Sequence, residues 1–204
     1  MIIGIINMQT NNINCFIKII KKLDFKFKVI NSYEDYNEDI SKLIIPGIGN
    51  YNTCINYLIL NKLDKVIYEH NNKNKKILGI CIGMQILTSY GEEGGKINGL
   101  NILQNTKTVM INTKEILPHI GWNKLEIINK NNIIFNNVNL DADFYFVHSY
   151  NVICNDENLV LARTKYGNSN IVSIIEKDNI LAIQFHPEKS GINGVKLIEN
   201  FIKN

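Results

Sequence analysis

Four short runs rich in apolar residues constrain the fold of this chain most strongly. Each run has the length of a strand that is buried on both faces, and each is followed by polar or glycine-rich sequence. They lie at residues 2–6, 27–30, 42–45 and 75–80. Helix-like apolar spacing lies between them and after the last, at 15–22, 51–70 and 82–89. The alternation predicts an α/β fold of three layers, with a largely parallel central sheet and helices on both faces.

The second half of the chain has a different pattern of apolar and polar residues. From about residue 100 the apolar residues alternate with polar ones in short stretches, which predicts additional antiparallel strands and hairpins in the C-terminal half. Residues 177–179 (KDN) suit a hairpin turn. A closing helix is predicted at 191–202, with its inward residues at Val195, Ile198, Phe201 and Ile202.

Composition excludes several classes of function. The chain has 204 residues, is 45% hydrophobic and shows no linker, so we expect one domain over 1–204. Its net charge of +3 is spread over scattered lysines, which does not indicate nucleic acid binding. The sequence has neither a signal-like start nor an apolar run of membrane-spanning length, so we expect a cytoplasmic protein. Four cysteines without a C-x-x-C pair indicate neither a zinc site nor a disulfide framework.

Cys81 stands between two glycines directly after the fourth apolar run. The segment Gly79-Ile80-Cys81-Ile82-Gly83 has the spacing of a nucleophile elbow with sulfur in place of oxygen. Glycines permit the tight strand-to-helix turn, and the helix that follows would favour the thiolate. A buried cysteine that only packs is the common alternative, but it needs no flanking glycines. We therefore predict that Cys81 is a nucleophile.

A base for this thiol follows the apolar run at 180–185. His186 can take the thiol proton and later protonate a leaving group, while Glu188 can orient the imidazole across Pro187.

The turn at 46–49 (PGIG) follows another predicted strand and can aim backbone N–H groups at an oxyanion. The candidate oxyanion donors are Ile48, Gly49 and Ile82. A simple β-turn at 46–49 is the alternative interpretation.

Together, the segments at 46–49, 79–85 and 186–188 resemble the class I, or triad, glutamine amidotransferases over nearly the whole chain. The resemblance implies that Cys81 attacks the side-chain amide of glutamine, that ammonia leaves, and that water hydrolyses the glutamyl thioester. No cofactor or metal is implied. The residues implied to bind the glutamine substrate are Gln85, Glu93, His148, Ser149 and Tyr150.

Within that group, the segments at 93–100, 117–123, 144–152 and 186–191 resemble the glutaminase subunits of imidazole glycerol phosphate synthases. The resemblance implies a heterodimer with a (β/α)8-barrel cyclase, which receives the ammonia for histidine biosynthesis and releases AICAR. The residues implied to face the partner or its ammonia gate are Asn12, Trp122, Asn123, Tyr145 and Lys189. Without the resemblance, Trp122 would be read as core and Lys189 as solvated. The turn after the first strand lacks the family's usual glycines, which bears on docking there.

Other interpretations remain open at this stage. The glutaminase could feed a different synthase, such as a surface-sugar amidotransferase. Cys81 and His186 could instead serve a cysteine hydrolase or peptidase, against which Gln85 argues. An inactive binding subunit is a fourth reading, although all three triad positions are filled.

The remaining cysteines and histidines receive structural roles. Cys15, Cys54 and Cys154 are expected to pack, and His70, in a polar run, is expected to be solvated. His119 and His148 are not followed by an orienting carboxylate, so we expect them to be structural or to form a wall of the site.

Overall fold

The computed structural model describes residues 1–9 and 13–204. Its principal element is an eight-stranded sheet, in which five parallel strands are extended at one edge by three antiparallel strands. The strands of the parallel part are β1 (Ile2–Ile6), β2 (Lys26–Ile30), β3 (Ile40–Ile45), β4 (Lys76–Ile80) and β14 (Ile180–Ile183). Three strands extend the sheet in antiparallel fashion, namely β13 (Ser169–Lys177), β12 (Val160–Tyr166) and β9 (Glu126–Ile127). The predicted α/β fold is confirmed.

Two further sheets are formed by the middle of the chain. One contains β5 (Thr88–Gly91), β6 (Ile97–Asn98), β7 (Leu103–Met110) and β11 (Tyr150–Cys154), in the order β11-β7-β5-β6. The other is an antiparallel pair of β8 (His119–Lys124) with β10 (Asp143–His148). The consecutive strands β10 and β11 therefore do not form a hairpin with each other, because each pairs in a different sheet.

Helices cover both faces of the central sheet. The helices are α1 (Ile13–Lys22), α2 (Tyr51–Leu60), α3 (Leu63–Asn72), α4 (Ile82–Gln85) and α5 (Gly191–Lys203). One apolar core contains Leu58 of α2 and Val66 of α3. The other contains Phe16 of α1 and Phe201 of α5. Within the described residues, none of the helices combines the length and apolar character needed to cross a bilayer.

Two predicted helices differ from the structure. The segment 51–70 is not one helix, because Lys62 has a left-handed backbone (φ 56°) that ends α2 and starts α3. The helix predicted over 82–89 stops at Gln85, whose carbonyl oxygen accepts a hydrogen bond from Thr88 Oγ1 at 2.7 Å. The chain then joins a sheet as β5 instead of continuing as a helix, because its backbone pairs with β7.

Predictions nearer the C-terminus agree better with the structure. The turn between β13 and β14 contains Asp178 with a positive φ of 52°, as the sequence suggested for residues 177–179. The closing helix is present, and Ile198, Phe201 and Ile202 are buried. Val195 is only half-buried, and Leu197 takes the inward position that the sequence analysis did not assign.

Candidate active site

Cys81 occupies a strained turn at the end of β4. Its backbone angles, φ 53° and ψ −111°, lie in a region that residues with a side chain rarely adopt, as expected for a nucleophile elbow. The Cys81 N–H donates to the carbonyl oxygen of Ile183 at 2.7 Å, which ties the elbow to the neighbouring strand β14. The Cys81 side chain is 6% exposed. The thiol is therefore held at the carboxyl edge of the sheet, in a nearly closed environment.

The elbow packs tightly against the turn at 46–49. A β-carbon on Gly83 would lie 2.0 Å from the carbonyl oxygen of Ile45, and one on Gly47 would lie 2.0 Å from the Ile82 side chain. Both separations are too short for real atoms, so only glycine permits this approach. The contact brings the candidate oxyanion turn beside the segment that carries Cys81.

His186 and Glu188 form a buried pair after β14. The Nδ1 of His186 lies 2.7 Å from Glu188 Oε1, and the two side chains are 1% and 5% exposed. The His186 N–H donates to the carbonyl oxygen of Tyr145 at 2.8 Å, which fixes the backbone of the base. Burial opposes the charged form of His186, but its interactions with Cys81 and then with Glu188 raise the pKa of the ring to about 10. The environment therefore favours a proton on this imidazole.

One cavity of about 110 Å³ collects most of the predicted site residues. Cys81 and His186 line it together with the three candidate oxyanion residues Ile48, Gly49 and Ile82. The five candidate substrate-binding residues also line it: Gln85, Glu93, His148, Ser149 and Tyr150. Residues separated by more than a hundred positions in the chain thus face one space. Among the described residues, no three or more His, Cys, Asp or Glu side chains are grouped so that they could hold a metal ion.

Glu93 is already engaged in the structure. Its Oε2 accepts a hydrogen bond from the Tyr51 N–H at 2.7 Å, at the start of α2. A carboxylate is favoured at this end of a helix because the first N–H groups have no partner within the helix. The contact fixes this wall of the cavity relative to α2, which begins just after the turn at 46–49.

His148, which lines the cavity, and His119, which does not, form a second buried pair. His148 Nδ1 lies 2.7 Å from the carbonyl oxygen of Tyr150, so this nitrogen carries the proton. His148 Nε2 then accepts from His119 Nδ1 at 3.2 Å. Burial lowers the pKa of His148 to about 3 and that of His119 to about 4. Both rings are neutral near pH 7, as befits the wall role expected from the sequence rather than that of a charged base.

Three of the candidate partner-facing residues, Trp122, Asn123 and Tyr145, lie on the β8–β10 pair, and Lys189 lies beside it. Trp122 is 57% exposed and meets Tyr145 edge-on, with 5.8 Å between the ring centroids. The Lys189 Nζ lies 5.5 Å from the centroid of the same tyrosine ring. Asn123 is half-buried and donates through Nδ2 to the carbonyl oxygen of Lys165 at 2.9 Å. The fifth candidate, Asn12, lies outside the described residues.

Two residues differ from or extend the sequence analysis. His70 is fully buried, not solvated: its Nδ1 lies 3.0 Å from the Tyr36 hydroxyl, and burial lowers its pKa to about 4. Gln184 received no role from the sequence, yet its side chain is buried 3.7 Å from Cys81 Sγ. The available signal was a single polar residue within the apolar run at 180–185, two positions before His186. Cys54 and Cys154 are buried and Cys15 is partly buried, as expected for packing residues.

Comparison with known proteins places these features in a family. The model of the family "Glutamine amidotransferase class-I" matches residues 5–204. The imidazole glycerol phosphate synthase subunit HisH of Methanocaldococcus jannaschii is 39% identical over 201 residues, covering 98% of each chain. The subunit HisH 2 of Methanococcus maripaludis is 40% identical over 210 residues, again covering 98% of each. A solved structure of a glutamine amidotransferase superposes with a TM-score of 0.76 at 18% identity, covering 98% of this chain and 97% of that chain.

Proposed function

The chain belongs to the class-I glutamine amidotransferase family, and we propose that it is the glutaminase subunit of an imidazole glycerol phosphate synthase. In this role it hydrolyses glutamine to glutamate and passes the ammonia to a cyclase partner. The observation that carries the proposal is the shared cavity of Cys81 and His186, in a chain that aligns over 98% of its length with subunits of that synthase.

The geometry supports a thioester mechanism. His186 takes the proton of the Cys81 thiol, and the sulfur attacks the side-chain amide carbon of glutamine. The tetrahedral intermediate places negative charge on oxygen, where the backbone N–H groups of Ile48, Gly49 and Ile82 are the candidate donors. The imidazolium then protonates the nitrogen of the former amide, and the C–N bond breaks to release neutral ammonia and leave the glutamyl thioester. Water, deprotonated by the same ring, hydrolyses the thioester and releases glutamate.

Glu188 supports both uses of the imidazole. Its 2.7 Å contact with Nδ1 keeps the proton on that nitrogen, which leaves Nε2 for the thiol and the substrate. The Nε2 atom is buried and has no conventional hydrogen-bond partner among the described residues. It is therefore available for proton transfer at the cavity.

A partner is needed to use the ammonia. Free ammonia is mostly protonated near pH 7 and then is not a nucleophile, so a protected passage to the acceptor has a chemical purpose. Trp122 and Lys189 are exposed, and both contact the half-buried ring of Tyr145. This cluster adjoins the base, because the carbonyl oxygen of Tyr145 accepts a hydrogen bond from the His186 N–H. We propose that this cluster docks the cyclase, that the cyclase is a (β/α)8 barrel, and that the ammonia leaves nearby.

The same proposal explains why activity should depend on docking. Ile48 and Gly49 are exposed, and Gly49 has φ 147°, a conformation that glycine can leave at little cost. We expect the isolated subunit to hydrolyse glutamine slowly, because these N–H groups are aimed at the oxyanion only once the cyclase and its ligand are bound.

The test is glutamine hydrolysis by the full chain, with and without a cyclase subunit. Wild type should be slow alone and strongly stimulated by the complex, whereas Cys81→Ala should be inactive in both. The matched control is Cys15→Ala, which changes a partly buried cysteine outside the cavity and should leave the rate unchanged. Activity retained by Cys81→Ala would refute the proposed chemistry, and rapid hydrolysis by wild type alone would refute the dependence on docking.

A second experiment tests the partner. Trp122→Ala should weaken cyclase binding, measured by calorimetry, with little change in the melting temperature because the ring is 57% exposed. Leu60→Ala, at the distant end of α2 and 81% exposed, is the control that should leave binding unchanged. Rescue of a histidine auxotroph by wild type, but not by Cys81→Ala, would separate histidine synthesis from ammonia delivery to another synthase.

A further inference from the structure

Gln184 lies between the nucleophile and a candidate substrate-binding residue. Its side chain is fully buried. Its Nε2 donates to Cys81 Sγ at 3.7 Å, and its Oε1 accepts from Gln85 Nε2 at 3.0 Å. A buried amide that uses both of its ends in this way is fixed in position, because leaving either end unpaired would cost free energy.

The orientation of this amide is determined by a backbone carbonyl oxygen, which can only accept a hydrogen bond. Gln85 also donates through Nε2 to the backbone carbonyl oxygen of Tyr150 at 3.0 Å. A carbonyl oxygen only accepts, so the nitrogen of Gln85 must face it. The second hydrogen on that nitrogen then requires the oxygen of Gln184, which leaves the nitrogen of Gln184 directed at the sulfur. These hydrogen bonds alone require Gln184 to present an N–H group to Cys81, whatever the protonation state of the thiol.

Three polar groups therefore surround the sulfur, and they favour different protonation states. The carbonyl oxygen of Val147, 3.9 Å away, can accept only from the thiol S–H. Gln184 offers an N–H that interacts most strongly with the thiolate, since hydrogen bonds to charged atoms are the stronger ones. His186, paired with Glu188, is the titratable group that interacts directly with the sulfur. The other titratable groups that line the same cavity are His148, Glu93 and Tyr150.

We propose that Gln184 is a positioning residue of the glutaminase site, which holds the Cys81 thiolate through its N–H and holds Gln85 toward the substrate through its oxygen. The role in catalysis rests on the proposed function. The hydrogen bond to sulfur does not, and it can be tested without glutamine. One residue thus connects the state of the nucleophile to the residue that contacts the substrate.

The primary experiment is the pH dependence of Cys81 alkylation by iodoacetamide in the full chain. Modification is followed by mass spectrometry of the Cys81 peptide, with the partly buried Cys15 as an internal reference. Gln184→Met keeps the length of the side chain but removes both hydrogen bonds. We expect the pH midpoint of Cys81 alkylation to rise by about one unit, with a roughly tenfold slower rate at pH 7, since each unit corresponds to a factor of ten.

Two variants keep the result interpretable. Ser173→Ala removes a fully buried hydroxyl that bonds Thr164 on the neighbouring strand and does not touch the sulfur, so its midpoint should equal that of wild type. Gln184→Asn keeps an amide but is too short to reach both partners, and it should shift the midpoint in the same direction as Gln184→Met. It serves if the methionine variant does not fold. An unshifted midpoint in a folded Gln184 variant, or an equal shift in Ser173→Ala, would overturn the proposal.

Kinetics provide the second readout. Gln184→Met leaves Gln85 without one of its two acceptors, so we expect the KM for glutamine to rise several-fold in addition to a fall in kcat. A purely structural role would lower the amount of active protein and leave the KM and the alkylation midpoint in place. Wild type and Cys81→Ala test the glutaminase itself, so a failure of the Gln184 proposal is distinguishable from a failure of the proposed function.

Discussion

The His186–Glu188 pair gives a prediction with a calculable size. Glu188→Gln preserves the shape of the side chain and an oxygen that can accept from His186 Nδ1, but it removes the negative charge 2.7 Å from the ring. A hydrogen bond to a charged group contributes about 1.5–3 kcal/mol and a neutral one about 0.5–1.5 kcal/mol. The imidazolium should therefore lose roughly 1–1.5 kcal/mol of stabilisation, which lowers the pKa of His186 by about one unit.

The variant should also lower the stability of the fold. Glu188 Oε2 is buried without a partner among the described residues, so the new NH₂ group would be an unsatisfied donor that costs about 1–3 kcal/mol. The part of the stability that depends on the positive charge of His186 is present only within a defined pH range. The pKa of His186 is raised to about 10 in the folded protein, whereas it is about 6.5 when unfolded. Its contribution to stability is complete below about pH 6.5 and is lost as the pH rises toward 10.

The assay combines kcat for glutamine hydrolysis in the cyclase complex with melting temperatures at pH 6 and pH 9.5. We expect kcat to fall at least tenfold and the loss in melting temperature to be larger at pH 6. The control is Glu126→Gln, which removes an exposed partner of Lys165 (3.0 Å) and should change neither quantity measurably. A wild-type kcat in Glu188→Gln, or a melting-temperature loss equal at both pH values, would refute the reasoning.

Two further predictions concern the fold. Gly83→Ala places a β-carbon 2.0 Å from the Ile45 carbonyl oxygen. It should lower the free energy of unfolding, measured in urea, by more than about 3 kcal/mol. The control Gly95→Ala has no atom within 4 Å of its β-carbon and should cost only backbone strain of about 1 kcal/mol. Because burial lowers the pKa of His70 to about 4, unfolding takes up a proton between about pH 6.5 and 4, so stability should fall over that range as the pH drops. His70→Gln should flatten this dependence in urea titrations at pH 7 and 5, and an unchanged slope would contradict the assigned burial effect.

The local features of the chain were predictable from its sequence where one short segment determines them. The apolar runs indicated β1, β3 and β4 because a doubly buried strand tolerates no polar face. The spacing around Cys81 indicated a tight turn because its neighbours are glycines. The pairing of strands indicated where the site lies, since parallel strands place their carboxyl ends at one edge of the sheet.

The failures have a common cause in long-range contacts. The polar run around residue 70 indicated solvent, but Tyr36, 34 residues earlier in the chain, supplies the hydroxyl that lets His70 be buried. The apolar spacing continues across Lys62 because both helices pack on the same face of the sheet, so periodicity could not reveal the break. The local sequence does not indicate a role for Gln184, because its partners, Cys81 and Gln85, are about a hundred residues away.

The register between β4 and β14 determines how firmly Cys81 and His186, the proposed nucleophile and base, are held relative to each other. Ile80 lies opposite Ile183, and the Cys81 N–H is bonded to the carbonyl oxygen of Ile183. Cys81 and His186 thus follow two neighbouring strands of the central sheet. Cys81 is one residue past Ile80, and His186 is three residues past Ile183, the strand partner of Ile80. Inserting a single amino acid after Ile183 would move Gln184 to the place of the core aromatic Phe185, and Phe185 to the place of His186. Chemistry at this site can therefore be retuned by the oxyanion turn, while the spacing of nucleophile and base stays as constant as the sheet.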